Sequence, residues 1–349
     1  MQYRPLGNTD INVSEITLGT MTYGEQNTQA EAFEQMDYAL AHGVNTIDVA
    51  EMYPVPPKAE TYGESEAIVG RWLADRGVRD KVILATKVTG NGTLNPGFEY
   101  IRGGPRPSGL QIKQAIDDSL RRLQTDYVDL YQIHWPDRKT NFFGRLGCVS
   151  LEQDEDIIPL EETITALGEL LKAGKIRHYG LSNETPWGVM EVCRVADKLG
   201  LPYPVTIQNP YNLLNRTYEI GLAEMSLREH IGLLAYSPLA FGMLSGKYYG
   251  GVLPEGSRLA LYDRFTRYTN SYAKAAADAY VDLAREHQID PSEFALAFVN
   301  QQQFVTSTII GATTLEQLAT NLRSVDVTFT DEILTDIASI HQRYCNPAP

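Results

Sequence analysis

The sequence contains little cysteine. Its three cysteines, Cys148, Cys193 and Cys345, lie far apart among 349 residues. An odd number of distant thiols does not make a disulfide framework, so we expect reduced cysteines and a cytoplasmic protein. No cysteine and histidine residues have the spacing of a zinc site, and we therefore expect no bound metal.

Long apolar segments and an excess of positive charge are also missing. The most apolar stretch, residues 231–244, is interrupted by Ser237-Pro238 and is too short to span a bilayer. Residues 1–7 lack the apolar core of a signal peptide. The formal net charge of −14 argues against binding to nucleic acid or to an anionic membrane. We expect a soluble protein whose partner is a small molecule.

The chain does contain a regular alternation of strand-like and helix-like segments, which is typical of βαβ units and a parallel sheet. Eight predicted strands centre on Leu18, Ile47, Leu84, Leu130, Tyr179, Ile207, Leu234 and Ile309. The predicted helices cover 29–42, 65–75, 108–123, 160–173, 186–199 and 216–229. No linker interrupts the alternation, and the length suits one barrel with insertions.

We therefore predict a single α/β domain over residues 1–349, folded as a TIM (β/α)8 barrel. An N-terminal β-hairpin over residues 1–13 and an extra C-terminal helix over 330–343 complete the prediction. An open, doubly wound sheet is the alternative architecture. The outer helices show no heptad pattern, and we expect a monomer or a small homo-oligomer.

Four long loops follow predicted strands, at residues 54–61, 89–107, 136–159 and 237–270. They would all lie at the C-terminal face of the barrel, where barrel enzymes keep their active sites, and would form a lid or funnel. The last loop carries Lys247, Arg258, Arg264 and Arg267. Arg264 and Arg267 could equally belong to a solvated surface.

Polar residues end three of the predicted strands. Asp48, Lys87 and His134 stand at these ends, and Tyr53 follows Asp48 by five residues. An ammonium near a phenol favours the phenolate, and a carboxylate would keep that ammonium charged. An imidazole can orient a substrate oxygen, so the four groups together suit the protonation of a carbonyl during its reduction. Taken singly, each has a structural explanation, such as an ion pair or a core histidine.

These segments resemble the active-site motifs of the aldo-keto reductases. The similarity runs through residues 46–53, 85–87, 132–136, 174–177, 180–183, 235–239 and 310–313, in the order of the family and over nearly the whole chain. Residues 51–57 and the Asn-Pro-Ala-Pro tail resemble the bacterial Tas-type reductases in particular. Potassium-channel β-subunits are more distant relatives on the same barrel.

The resemblance implies an NADP(H)-dependent oxidoreductase that reduces aldehydes or ketones without a Rossmann domain, and the sequence indeed lacks GxGxxG. Tyr53 would be the general acid, tuned by Lys87 and Asp48, while His134 would orient the carbonyl. In many relatives the catalytic tyrosine is followed directly by Gly and then by Ser-Glu; here that pattern occurs at residues 62–66, so Tyr62 is a rival acid. The five-residue offset from Asp48 favours Tyr53.

The resemblance also implies a set of cofactor residues. The nicotinamide end would be held by Ser182, Asn183, Gln208 and Tyr236. The loop over the pyrophosphate would contain Ser237, Pro238, Leu239, Gly242, Leu244, Lys247 and Arg258. The adenosine end would be held by Gly311, Thr313, Gln317 and Asn321, with Thr313 near the 2′-phosphate at a helix N-terminus. Some relatives have Lys where Gly311 stands, and many have Glu where Thr320 stands, which weakens the expected preference for NADPH over NADH.

Substrate walls and competing functions complete the predictions. Met21, Tyr23 and Trp135 are candidate substrate contacts, with Phe142 and Phe143 nearby, which suggests an apolar or aromatic pocket for a small carbonyl compound. One competing function is a redox-sensing regulatory protein with slow turnover, like the channel β-subunits, although those usually have Asn where His134 stands. Another is a Schiff-base aldolase that uses the amine of Lys87.

Overall fold

A closed barrel of parallel strands forms the centre of the protein. The computed structural model describes residues 1–147 and 156–349, so the prediction for Cys148 and part of the predicted loop at 136–159 lie outside the described residues. Two antiparallel strands, β1 (Tyr3–Pro5) and β2 (Asn12–Ser14), form the predicted hairpin. The barrel strands are β3 (Ile16–Gly19), β4 (Thr46–Asp48), β5 (Ile83–Val88), β6 (Val128–Ile133), β7 (Ile176–Ser182), β8 (Thr206–Pro210), β9 (Gly232–Tyr236) and β10 (Val305–Ile310).

Each barrel strand pairs in parallel with its neighbour in the sequence, and β10 pairs with both β9 and β3 to close the ring. The predicted TIM barrel is therefore confirmed, and the open sheet is excluded. All eight predicted strand centres lie within these strands.

Helices surround the barrel. They are α1 (Gln29–Ala41), α2 (Glu64–Arg76), α3 (Gly109–Leu123), α4 (Leu160–Lys172), α5 (Pro186–Leu199), α6 (Tyr218–Glu229), α7 (Arg258–Leu261), α8 (Ser271–Glu286), α9 (Pro291–Asn300), α10 (Leu315–Arg323) and α11 (Asp331–Arg343). The helices α1–α6 lie within two residues of the predicted bounds, and α11 is the predicted C-terminal helix. Among the helices of the described residues, none has both the length and the hydropathy that crossing a membrane requires.

Side chains at the first turns explain where several helices begin. Thr28 and Glu31 form a reciprocal capping box on α1, and the hydroxyls of Ser108 and Thr185 accept backbone N–H groups at the starts of α3 and α5. The first N–H groups of a helix have no partner within the helix, so these side chains satisfy them. These caps fix the residue at which each loop on the C-terminal side of the barrel ends and its helix begins.

The hairpin closes the bottom of the barrel. Leu6 and Val13 are fully buried and pack with Leu130, Leu234 and Ile309 from the barrel strands. Because β2 leads directly into β3, this apolar plug lies at the N-terminal ends of the strands. The opposite end is left free for the polar residues that end β4, β5 and β6.

Close packing of α2 against α3 gives a test of the fold. A Cβ atom at Gly70 in α2 would collide with the backbone carbonyl of Arg122 and with Leu123 in α3. We expect Gly70→Ala to lower the free energy of unfolding by about 1–3 kcal/mol, because backbone atoms cannot yield locally. Urea unfolding monitored by circular dichroism measures this difference.

The matched control is Gly109→Ala at the start of α3, where the nearest atom to a new Cβ would be 3.5 Å away. That substitution gains helix propensity without a clash, and we expect it to change the stability by less than about 1 kcal/mol. Equal losses in both variants would contradict the close approach of α2 and α3.

Candidate active site

Four polar side chains meet at the open end of the barrel. The Lys87 ammonium donates to Asp48 Oδ2 at 2.6 Å, to the Val49 carbonyl at 2.9 Å and to the Tyr53 hydroxyl at 3.3 Å. The Tyr53 and His134 rings meet edge to face, with their centroids 5.8 Å apart. The structure thus brings together all four residues that the sequence analysis singled out at the strand ends.

Lys87 is fully buried and remains a cation. Burial alone would lower its pKa, but the charges and hydrogen bonds of Asp48 and Tyr53 raise it above the ordinary value. Because the nitrogen is protonated at neutral pH, it has no lone pair, and its three N–H donors are matched by three acceptors. This amine is consequently a poor nucleophile for a Schiff base.

Two glutamines hold the carboxylate that pairs with Lys87. Asp48 Oδ1 accepts from Gln208 Nε2 at 2.9 Å and from Gln132 Nε2 at 3.3 Å, and the two amides are joined at 3.1 Å. Gln132 was not among the predicted site residues, although it stands on β6 two residues before His134, a spacing that places both side chains on the same side of the strand end. Gln208, a predicted cofactor residue, also lines the cavity, and its amide nitrogen donates to Asp48.

Tyr53 and Tyr62 have different surroundings. Tyr53 reaches the cavity beside Lys87, and burial raises its pKa although the Lys87 charge opposes the shift. The Tyr62 hydroxyl instead donates to Glu51 Oε2 at 3.1 Å, and the same carboxylate forms a buried ion pair with Arg102. Tyr62 therefore supports the loop at residues 89–107. The peptide bond between Tyr53 and Pro54 is cis.

His134 is a neutral imidazole. Burial, assisted by the charge of Lys87, holds its pKa well below the ordinary value. Its Nδ1 atom is buried and finds no hydrogen-bond partner in the part of the chain that the structure describes. A buried ring nitrogen without a partner is costly, so it is a position where a ligand could supply one.

A cavity of about 1130 Å³ opens above these residues. Asp48, Tyr53 and His134 line its floor, together with Met21 and Trp135 from the predicted substrate contacts. Fourteen of the fifteen predicted cofactor residues also line it, namely Ser182, Asn183, Gln208, Tyr236, Ser237, Pro238, Leu239, Gly242, Lys247, Arg258, Gly311, Thr313, Gln317 and Asn321. The cavity is larger than ordinary pockets for drug-sized ligands, which measure roughly 300–1,000 Å³.

Two predicted contacts do not line the cavity, so these two predictions are wrong. Leu244 is buried in the hydrophobic core beneath its loop instead of lining the cavity. Tyr23 is also fully buried, and its hydroxyl donates to Gln35 of α1 at 3.1 Å. Sequence position placed both residues near the site, but the direction of each side chain depends on tertiary packing.

The floor of the cavity is already connected by hydrogen bonds. The Tyr236 hydroxyl donates to Asn183 Oδ1 at 2.7 Å, and Asn183 Nδ2 donates to the His134 carbonyl at 2.9 Å. Ser182 Oγ donates to the Gln208 carbonyl at 2.8 Å. Asn183 and Ser237 both have positive φ, a conformation that non-glycine residues adopt chiefly where function or packing demands it.

One side of the cavity is basic. Lys247 and Arg258 line it, and neither forms an ion pair with any carboxylate in residues 1–147 or 156–349. Arg258 packs its guanidinium over the rings of Phe241 and Phe265, at 5.9 and 5.2 Å. Burial lowers the pKa of Arg258, and no carboxylate of the described residues forms an ion pair that would offset this effect.

The N-terminus of α10 faces the far end of the cavity. Thr314 caps the helix through the backbone N–H of Gln317. Both the N–H and the hydroxyl of Thr313 donate to Gln317 Oε1, at 3.0 and 3.1 Å. The free N–H groups and the dipole of such a helix end favour an anion.

Comparison with known proteins identifies the family. The model described as the aldo/keto reductase family matches residues 15–342. The chain belongs to this family. Protein tas of Escherichia coli (strain K12) is 52% identical over 349 residues, which cover all of both chains. The resemblance inferred from the motifs, including that to the Tas-type proteins, is confirmed.

Two less similar relatives have names that differ from that of protein tas. The uncharacterized oxidoreductase YrpG of Bacillus subtilis (strain 168) is 33% identical over 96% of this chain and 94% of its own. A probable voltage-gated potassium channel subunit beta of Arabidopsis thaliana is 30% identical over 94% of this chain and 92% of its own. The family membership makes this aldo/keto reductase an oxidoreductase. Within the described residues, no group of three or more His, Cys, Asp and Glu side chains could hold a metal.

The depressed pKa of His134 predicts how stability depends on pH. As the pH falls below about 6.5, the unfolded chain takes up a proton on this residue that the folded protein does not bind. The folded state therefore loses stability toward acid pH. Replacing His134 by Gln should reduce the slope of unfolding free energy against pH by up to about 1.4 kcal/mol per pH unit.

Urea unfolding curves at several acid pH values measure this slope. His42→Gln, at an exposed position at the end of α1, is the control for removing a histidine as such. Identical slopes in wild type and His134→Gln would show that His134 is not held neutral by the fold.

Proposed function

We propose that this aldo/keto reductase reduces aldehydes or ketones to alcohols with NADPH. The observation that carries the proposal is the Tyr53 hydroxyl, which reaches the cavity 3.3 Å from the buried ammonium of Lys87. Lys87 is in turn paired with Asp48 at 2.6 Å. A phenol in this position can give up a proton to a substrate oxygen, because the adjacent cation stabilises the phenolate that remains.

The cavity suits a dinucleotide cofactor. It is large, it carries two cations, Lys247 and Arg258, that form no ion pair within residues 1–147 and 156–349, and the start of α10 faces its far end. Cations without acidic partners favour a pyrophosphate, and a helix N-terminus favours a further phosphate. Asn183, Gln208 and Tyr236 on the floor offer amide and aromatic groups for a nicotinamide. NADPH rather than NADH is the proposed cofactor, with Thr313 near the 2′-phosphate.

NADPH, when bound, supplies the hydride. The residues of the chain do the rest in this proposal. Tyr53 donates its proton to the developing alkoxide, Lys87 stabilises the resulting phenolate, and Asp48 keeps Lys87 charged. Neutral His134 offers a hydrogen bond that orients the carbonyl without competing as an acid. Trp135 and Met21 shape the apolar part of the substrate pocket.

Removal of the Tyr53 hydroxyl tests the acid. We expect Tyr53→Phe to lower kcat for the reduction of an aromatic aldehyde by about 10²–10⁴-fold, because the general acid is lost. NADPH affinity, measured by quenching of tryptophan fluorescence, should remain unchanged. The matched control is Tyr62→Phe, which removes a hydroxyl bonded to Glu51 outside the cavity. If the Tyr53 variant kept the wild-type rate, another group would be the acid.

The cofactor preference gives a second test. Titration of the purified protein with NADPH and NADH should show tighter binding of NADPH by about tenfold, because the 2′-phosphate gains hydrogen bonds and the favourable end of α10. Lys247→Met should weaken both cofactors alike, since the pyrophosphate is common to both. Equal affinities would indicate a dual-cofactor enzyme, and an absence of binding would contradict the proposed reduction.

The competing functions make different predictions. The aldolase needs a neutral amine, and the three hydrogen bonds and raised pKa of Lys87 oppose that role. A regulatory role is suggested by the relatives named as channel β-subunits. Tight retention of NADPH with very slow turnover of every carbonyl compound would favour that role over the enzymatic one.

A further inference from the structure

Arg267 has no role in the reaction proposed above, yet it lines the same cavity as the catalytic residues. It belongs to the segment between α7 and α8. Its Nε and Nη1 atoms are buried and have no hydrogen-bond acceptor among the described residues. No carboxylate within the described ranges forms an ion pair with it either. A cation that is largely removed from water usually needs an anionic partner.

Its immediate neighbours are aromatic. The guanidinium carbon lies 6.0 Å from the Phe143 ring centroid and 5.9 Å from those of Phe241 and Tyr268. Burial would lower its pKa, but the charges of the Tyr236 and Tyr268 phenols and their hydrogen bonds to the guanidinium raise it. The rings fix the guanidinium in place and keep it charged, but they supply no negative charge.

The position of Arg267 places it near the reacting end of the cavity. An aromatic wall leads from the catalytic imidazole to this arginine. The His134 and Trp135 rings lie 5.2 Å apart, the Trp135 and Phe143 rings 5.7 Å apart, and Phe143 contacts Arg267. On its other side Arg267 adjoins Tyr236, whose hydroxyl is bonded to Asn183 on the cavity floor. Arg267 is distinct from Lys247 and Arg258, which are the two cations proposed to bind the pyrophosphate.

We propose that Arg267 binds an anionic group of the substrate, so that this enzyme prefers aldehydes or ketones that carry a carboxylate. The inference rests on the proposed reduction. The planar guanidinium suits a carboxylate because it can donate two parallel hydrogen bonds. The apolar wall of Trp135 and Phe143 would then contact the carbon chain between the carboxylate and the reacting carbonyl.

Matched pairs of substrates test the proposal. They are para-carboxybenzaldehyde and a series of straight-chain aldehyde acids of increasing length, each compared with its methyl ester. We expect the wild-type enzyme to have a kcat/KM about 10- to 100-fold higher for the acid than for the ester at the best chain length, chiefly through KM. Arg267→Met should remove this preference while leaving kcat/KM for the esters within about threefold.

Three variants separate charge from packing. Arg267→Met keeps an unbranched apolar side chain among the rings, and Arg267→Lys keeps the charge without the planar fork, so the lysine variant should retain part of the preference. Arg264→Met is the control, because Arg264 lies in the same segment and lines the cavity but is exposed. The control should keep the full preference for the acids.

Binding measurements make the outcome independent of turnover. Calorimetric titration of the NADP⁺-saturated protein with para-carboxybenzaldehyde and its ester should show the same preference, lost in Arg267→Met. If neither compound is reduced but the acid still binds through Arg267, the proposed reduction fails, whereas the assignment of Arg267 to an anionic group of a ligand stands. Equal kcat/KM and affinity for acid and ester in the wild type would overturn it. Loss of NADPH affinity in Arg267→Met would also overturn it, since Arg267 would then belong to the cofactor site.

Discussion

The buried pair of Lys87 and Asp48 is the interaction on which the candidate site depends. A lysine with no exposure to solvent is stable only if its charge is compensated, and Asp48 compensates it at 2.6 Å. The pair joins β4 to β5 and positions Tyr53, whose hydroxyl is the third partner of the same ammonium. Gln132 and Gln208 extend the network to β6 and β8, so side chains from three other strands of the closed barrel hold the carboxylate of Asp48 on β4.

The distribution of charge separates the surface from the cavity. The protein has a net charge of −14, whereas Lys247, Arg258, Arg264 and Arg267 line one cavity. The overall charge makes the surface acidic, and in the proposals above Lys247, Arg258 and Arg267 attract anionic ligands to the interior of the site. The aromatic rings around Arg258 and Arg267 stabilise these partly buried cations, which form no ion pair in the part of the chain that the structure describes.

The barrel and most of the site were predictable because their signals are local. Buried strands read as short apolar runs, and a polar residue directly after such a run must lie at the strand end, which placed Asp48, Lys87 and His134 together. The helices α8 and α9 were not predicted, because the long predicted loop after β9 gave no clear signal for where the next helix begins. Tyr23 and Leu244 were misplaced because a position in a loop does not reveal which way a side chain points.

The amino-acid pattern alone was sufficient for the fold and the four residues at the barrel mouth, since strand period and chain order determine these, and the family followed from the resemblance of its motifs. Only the folded structure decided which phenol stands beside Lys87, because Tyr53 and Tyr62 are both in the loop after β4 and differ only in what they contact. The role of Gln132 and the partly buried guanidinium of Arg267 likewise emerge only from the folded structure. Such properties depend on contacts between residues far apart in the chain, and no local pattern encodes those contacts.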